Sequence, residues 1–121
     1  MLDIETALRA YASMMNALDS SKLEPLLSDD FHYSSQMVLA EIESKQEYLE
    51  YIKPKLEVVR ASGTKVWAEM AMLTHSFPGP CVVLAQGDKE NLVALVLAKV
   101  KGERIERIDM CIVPTPQSAK R

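Results

Sequence analysis

The ten residues Asp30–Leu39, "DFHYSSQMVL", decide how the rest of the chain is read. Taken as a strand, they put Phe31, Tyr33, Ser35 and Met37 on one face and His32, Ser34, Gln36 and Val38 on the other. Each face mixes apolar bulk with a hydroxyl, an imidazole or an amide, whereas a strand over a plain core shows one clean apolar face. The mixture predicts a strand bordering a small, mostly apolar pocket. The pattern runs on through "AEI", so a single strand is predicted as far as Ile42.

Upstream, Ile4, Leu8, Tyr11, Met15 and Leu18 recur at three- and four-residue steps, with Ala7 and Met14 widening the stripe. That is an amphipathic helix. Asp3 is placed to cap it, because a carboxylate accepts from the unpaired amides of a first turn. In "LDSSKLEPLL", Ser20 or Ser21 can cap a short second helix, and Ser21 to Glu24 has capping-box spacing; Pro25 limits the helix to about two turns. Downstream, Ser44 and Glu47 repeat the capping box. Tyr48, Leu49, Ile52, Leu56 and Val59 form an apolar face, and Gly63 is placed to end the helix. Pro54 predicts a kink there, or a division into two short helices.

From Lys65 onward the chain changes to runs rich in β-branched residues: "KVWAEMAML", "CVVLAQG", "NLVALVLAKV" and "RIERIDMCIV". "SFPGP", "GDKEN" and "KGE" supply turns between them, with His75 as a turn residue beside the first. Helices early and strands late predict an α+β domain, N-terminal helices packed on an antiparallel sheet. One domain is expected over residues 1–113, followed by a frayed polar tail over 114–121. "LVALVLA", Leu92–Ala98, is apolar without alternation, so both of its faces should be buried. Helices cover one face only, which predicts a homodimer packed through the sheet face; a loop over a central strand is the competing explanation.

The 121 residues suit one core, and 48% hydrophobic with 26% charged residues is ordinary for a globular protein. A net charge of −3 provides no footprint for nucleic acid or for an anionic membrane. The N-terminus, with Asp3 and Glu5 in a periodic pattern, reads as neither signal peptide nor membrane span, so a cytoplasmic location is the default expectation. Cys81 and Cys111 read as reduced, buried small hydrophobes. Together with His32 and His75 they lack zinc-ligand spacing, so no metal site is expected. The four glycines are scattered at turns, with no phosphate loop or nucleophile elbow.

The order of elements, "YASMMNALD" leading into "LLSDDFHY", the capped "SKQEYLEYI" and the final "IERIDMCIVP" resemble the nuclear transport factor 2-like, or SnoaL-like, superfamily over nearly the whole chain. The resemblance implies a cone: a curved sheet wrapped around helices, enclosing a pocket, frequently in dimers. It implies no cofactor, since such members work with side chains and water. It does not fix an activity, because the superfamily holds isomerases, cyclases, epoxide hydrolases, dehydratases and plain binding domains. Tyr11 matches the ketosteroid isomerases' oxyanion-donating tyrosine. Their base, however, would fall at Ser35, whose hydroxyl lacks the basicity to take a proton from carbon. Their second donor would fall near Leu95 and Val96, where there is no acid, so steroid isomerisation is not expected. Asp109 in "RIDMC" matches the late-strand carboxylate of cyclases and hydrolases. Arg107 could supply the cation of the hydrolases' Asp-Arg-Asp group, but no second Asp is evident.

Tyr11, His32 and Asp109 are therefore the candidate catalytic residues, and Met15, Phe31, Tyr33, Ser35, Trp67, Met70 and Met110 the candidate ligand contacts. Each has a bland alternative. Tyr11 could be an aromatic of the helix stripe, His32 a surface residue, and Asp109 an ion-pair partner of Arg107. The methionines suit an adaptable pocket and an irregular core equally. The expected function is binding of a small apolar ligand, with isomerase, lyase or hydrolase chemistry by side-chain acid and base. The alternative is a non-catalytic dimeric module that binds a ligand or a protein.

Overall fold

Asp3 starts the first helix as its position suggests. Its carboxylate accepts from the Thr6 amide at 2.7 Å, and α1 runs Ile4–Ala17 in a computed structural model that describes residues 1–75 and 78–121. Ala7, Leu8, Tyr11 and Met14 form its buried stripe, and Leu18 ends it in the left-handed conformation at φ 56°. The predicted second helix is reduced to a single 3-10 turn, Glu24–Leu26. Pro25 brings no amide to bond backwards, so the Ser20 carbonyl takes the Leu23 and Glu24 amides and the chain turns instead. The Ser20 hydroxyl also donates to Glu24 at 2.7 Å.

α2 spans Lys45–Ser62, with Ser44 accepting from the Glu47 amide at 3.1 Å and Gly63 closing it at φ 74°. It is one helix, not two. Pro54 lies on its exposed side, where the carbonyl it leaves unbonded faces water.

Six strands form one curved sheet: β1 Leu27–Ser35, β2 Ala40–Ile42, β3 Val66–Leu73, β4 Gly79–Gln86, β5 Leu92–Lys101 and β6 Arg104–Cys111. Their order is β2-β1-β6-β5-β4-β3. The fold is α+β, with both helices on one face. The antiparallel expectation needs one amendment, since β1 and β6 run parallel, Tyr33 beside Ile108 and Ser35 beside Met110. α2 carries the chain to the far edge, and three reversals return it beside β1 pointing the same way. Of the turn "SFPGP", Ser76 and Phe77 lie outside the described residues.

The stretch predicted as one strand to Ile42 is a hairpin. β1 ends at Ser35, residues 36–39 turn, with Leu39 at φ 51°, and β2 returns as Ile42 pairs with Tyr33. Phe31, Tyr33 and Ser35 do share the buried face, but Met37 is in the turn and exposed. The polarity of Gln36 onward thus marked a reversal of the chain.

Both faces of β5 are buried, as "LVALVLA" predicts: Ala94 and Val96 against the helices, Leu95 on the other side with Ala71, Leu73, Cys81, Val83 and Cys111. The cover on that second side includes the chain's own end. Residues 114–121 are not frayed. Ala119 packs on this outer cluster, Met72 and Lys120 exchange two backbone bonds of 2.8 and 2.9 Å, and Arg121 pairs with Glu90 at 2.6 Å.

The same end protects the edge strand β3, whose Met72 amide and carbonyl would otherwise face water. Asn16 does this further along the strand, taking the Ala68 amide at 2.7 Å and donating to its carbonyl at 3.0 Å. Asn16→Ala is expected to destabilise the fold by about 1–3 kcal/mol, since two part-buried backbone groups lose their partner. Urea denaturation measures it; an unchanged midpoint would mean that water replaces the amide at no cost.

Candidate functional site

The interior of the cone is filled by the chain's four tyrosines. Tyr11 rises from α1, Tyr48 and Tyr51 from α2, and Tyr33 from β1. The Tyr48 ring lies 5.0 Å from Phe31, edge to face, and 5.1 Å from Tyr33, which is in turn 5.7 Å from Tyr51. Such contacts add to the area these rings bury. Burial pushes the phenols of Tyr11, Tyr33 and Tyr48 upward, so they remain neutral at physiological pH. Tyr33 Oη donates to Met110 Sδ at 3.9 Å, and Tyr48 Oη is buried with no partner among the described residues. Ser35, a candidate pocket hydroxyl, instead takes the Met37 amide at 3.2 Å and so turns the hairpin. Met70 packs half-buried against this core. None of the five principal cavities formed by the described residues has Tyr11, Phe31, Tyr33 or Ser35 in its wall.

His32 and Asp109 lie on the opposite face of the sheet from Tyr11. Alternation along β1 and β6 turns His32 and Ser34 away from buried Tyr33, and Asp109 away from buried Ile108. The three candidate catalytic side chains therefore do not meet; the sheet separates Tyr11 from the other two. His32 Nδ1 bonds the Asp30 carbonyl at 3.0 Å; since a carbonyl only accepts, that nitrogen carries the proton. It borders a shallow depression of about 180 Å³ with Lys99, Glu106 and Arg107.

Asp109 is the centre of a polar network. Its Oδ1 accepts from Ser34 Oγ at 2.5 Å and from Arg107 Nε at 2.9 Å. Arg107 Nη2 reaches Glu41 Oε1 at 3.4 Å. The guanidinium thus lies between two acids, the second supplied by Glu41 from β2. Glu41 and Ser34 are the members that the sequence reading missed. The signal for Ser34 was its place opposite Asp109, which only the parallel register reveals; Glu41 needed the hairpin.

Beside this network the sheet opens. Pairing of β4 with β5 starts only at Val82 and Val96. Pro80, which would come next but one, has no amide to continue the ladder. The strands part into a cleft of about 440 Å³. Ile4, Ala98 and Met110 reach it from the helix side; Leu97, Cys111 and the Ser34–Asp109 pair reach it from the outer side, with Pro80 and Pro114 at its ends. Its wall is mostly apolar, with Ser34, Gln36, Lys99 and Asp109 as the polar members. A larger and more open groove of about 800 Å³ at the start of α2 is lined by Lys45, Gln46, Glu50 and Lys53 together with Leu49 and Pro54. Met15 and Trp67 line a third groove, of about 550 Å³, at the β3 edge. Among the described residues no cluster of acids, histidines and cysteines is arranged to hold a metal ion. No described helix is long and apolar enough to cross a membrane.

The fold is that of the NTF2-like proteins. An NTF2-like protein of unknown function from Cytophaga hutchinsonii superposes with a TM-score of 0.62 at 11% identity, over 97% of this chain and 96% of its own. A SnoaL-like protein of unknown function from Burkholderia thailandensis gives 0.64 at 16%, over 88% and 91%. A provisionally assigned ketosteroid isomerase from Kribbella flavida gives 0.59 at 17%, over 89% and 78%. At these identities the likeness establishes the fold. No protein-family model matches the chain, and no curated protein matches it.

Proposed function

We propose that the protein binds a small, mostly apolar molecule in the cleft between β4 and β5, and does so without turning it over. The supporting observation is the cleft itself: apolar walls from Ile4, Leu97, Ala98 and Met110, with the Asp109 carboxylate at one corner. Both hydrogen bonds Asp109 accepts fall on Oδ1, which leaves Oδ2 to orient a ligand through a hydroxyl or amine. Two arguments weigh against acid–base turnover. Tyr11 stands on the far side of the sheet from Asp109, so the tyrosine donor of the isomerases does not face the carboxylate. The Arg107 bridge to two acids resembles the hydrolase triad, but its outer acid is Glu41, which is more than half exposed. A nucleophilic water would not be set apart from solvent there.

Leu97→Trp fills the cleft from its outer wall. With the neutral apolar dye Nile red as probe, the wild-type protein is expected to bind at micromolar concentrations and the variant at least tenfold more weakly. Equal binding by both would place the dye elsewhere and remove the cleft from this account.

A further inference from the structure

The hairpin tip and the exit of β6 form one apolar surface. Met37, Val38 and Leu39 are 49%, 54% and 90% exposed, and beside them Ile112 and Val113 are 44% and 72% exposed. Gln36 ties the two segments together. Its side-chain oxygen accepts from the Ile112 and Val113 amides at 2.7 and 2.9 Å, and its nitrogen donates to the Val113 carbonyl at 3.2 Å. The patch is therefore held in place, not a loose end. Leu39 bears two costs at once: a left-handed backbone at φ 51° and an apolar side chain in water. Glycine or asparagine would meet the turn at less cost. A contact made by the leucine would offset both.

We propose that this tip docks into the β4–β5 cleft of a second copy of the chain, the two copies exchanging tips about a two-fold axis, so that the partner's Leu39 closes the mouth of the ligand site. The idea rests on the cleft being the binding site argued above. Two observations favour a second copy. The convex tip and the concave cleft adjoin on one molecule, since Gln36 and Val113 also line the cleft. A two-fold axis near that shared rim sets each tip over the other cleft, which is the self-complementary arrangement of a symmetric dimer. Lastly, the five side chains expose roughly 500 Å² per copy. A symmetric pair would bury about 1,000 Å² from them alone, which reaches the lower limit of a specific interface. A lipid surface fits less well, because residues 34–44 hold two acids and no Lys or Arg.

Sedimentation velocity and Nile red titration on the full chain test this together. The wild-type protein is expected to be dimeric at about 100 μM, and Leu39→Glu monomeric with an unchanged circular-dichroism spectrum, since Leu39 supports nothing within its own chain. With Cys111, which also lines the cleft, changed to Ser in both chains, a mixture of Leu39→Cys and Leu97→Cys chains should form the covalent heterodimer under mild oxidation, at least tenfold faster than either chain pairs with itself. A monomeric wild-type chain, a Leu39→Glu dimer, or no preference for the mixed disulfide would each overturn the proposal. So would a monomer that sediments with phosphatidylcholine vesicles through Leu39, which would give the patch to lipid. Mass reports the dimer and dye reports the cleft. A monomer that binds Nile red as the wild type binds it ends the idea of a closed mouth and leaves the cleft standing.

Discussion

Tyr48→Ala is expected to lower the melting temperature by roughly 15 °C, whereas Tyr48→Phe should leave it unchanged or raise it. The ring meets Phe31, Tyr33 and Tyr51 at the centre of the filled cone, and truncating an aromatic there costs about 3–5 kcal/mol. A domain of this size holds only about 5–15 kcal/mol in total, so alanine brings it near the limit of folding. The hydroxyl acts in the opposite sense. It is buried without a partner among the described residues, and removing an unsatisfied polar group relieves a desolvation cost of about 1–3 kcal/mol. Thermal denaturation of both variants decides the matter. If Tyr48→Phe destabilises by more than about 1 kcal/mol, the phenol has a partner, and the cone holds a bound molecule at its centre after all.

That result matters because the filled cone is where sequence and structure part. Residues acting within their own element were legible: Asp3 and Ser44 as caps, Gly63 as a stop, Ala94, Leu95 and Val96 as part of a strand buried on both faces. These depend on spacing and local hydrogen bonding, which the order of residues carries directly. Legibility failed where chain reversal or register decided the outcome. Met37 and Val38 fit an alternating strand perfectly well, and only the left-handed Leu39 sends them into a turn; leucine gives no warning of such a backbone. Tyr11, Tyr33, Tyr48 and Tyr51 come from three elements, and nothing in their separate neighbourhoods says that they would meet and fill a hollow. The Asp109 site was half legible. An acid beside apolar residues invited the reading of a buried base, but the parallel register brings Ser34 and the hairpin brings Glu41, turning it into one member of a charged network.

Removing residues 114–121 is expected to make Cys81 about a hundredfold more reactive toward a disulfide reagent at pH 8. Cys81 is fully buried on the outer face of the sheet with Leu95 and Val83, and Ala119 packs on that cluster. Burial pushes its thiol from the ordinary 9.0 up to about 11. The thiolate is the nucleophile, and its share falls tenfold for each unit by which the pKa exceeds the pH. In the intact chain the rate should accordingly climb tenfold per pH unit to about pH 11. In the shortened chain the climb should level off near pH 9, because water then reaches the sulfur. A Cys111→Ser background isolates the signal, since Cys111 already lines the cleft. Stability follows the same sign: the buried thiol favours the neutral form, so its contribution is present below pH 9 and is lost as the pH rises toward 11. If the shortened chain stays folded and Cys81 reacts no faster, the tail is not what keeps water from Leu95. The cover would then have to come from another molecule, and a sheet-to-sheet dimer would replace the tip-in-cleft pair as the arrangement to measure.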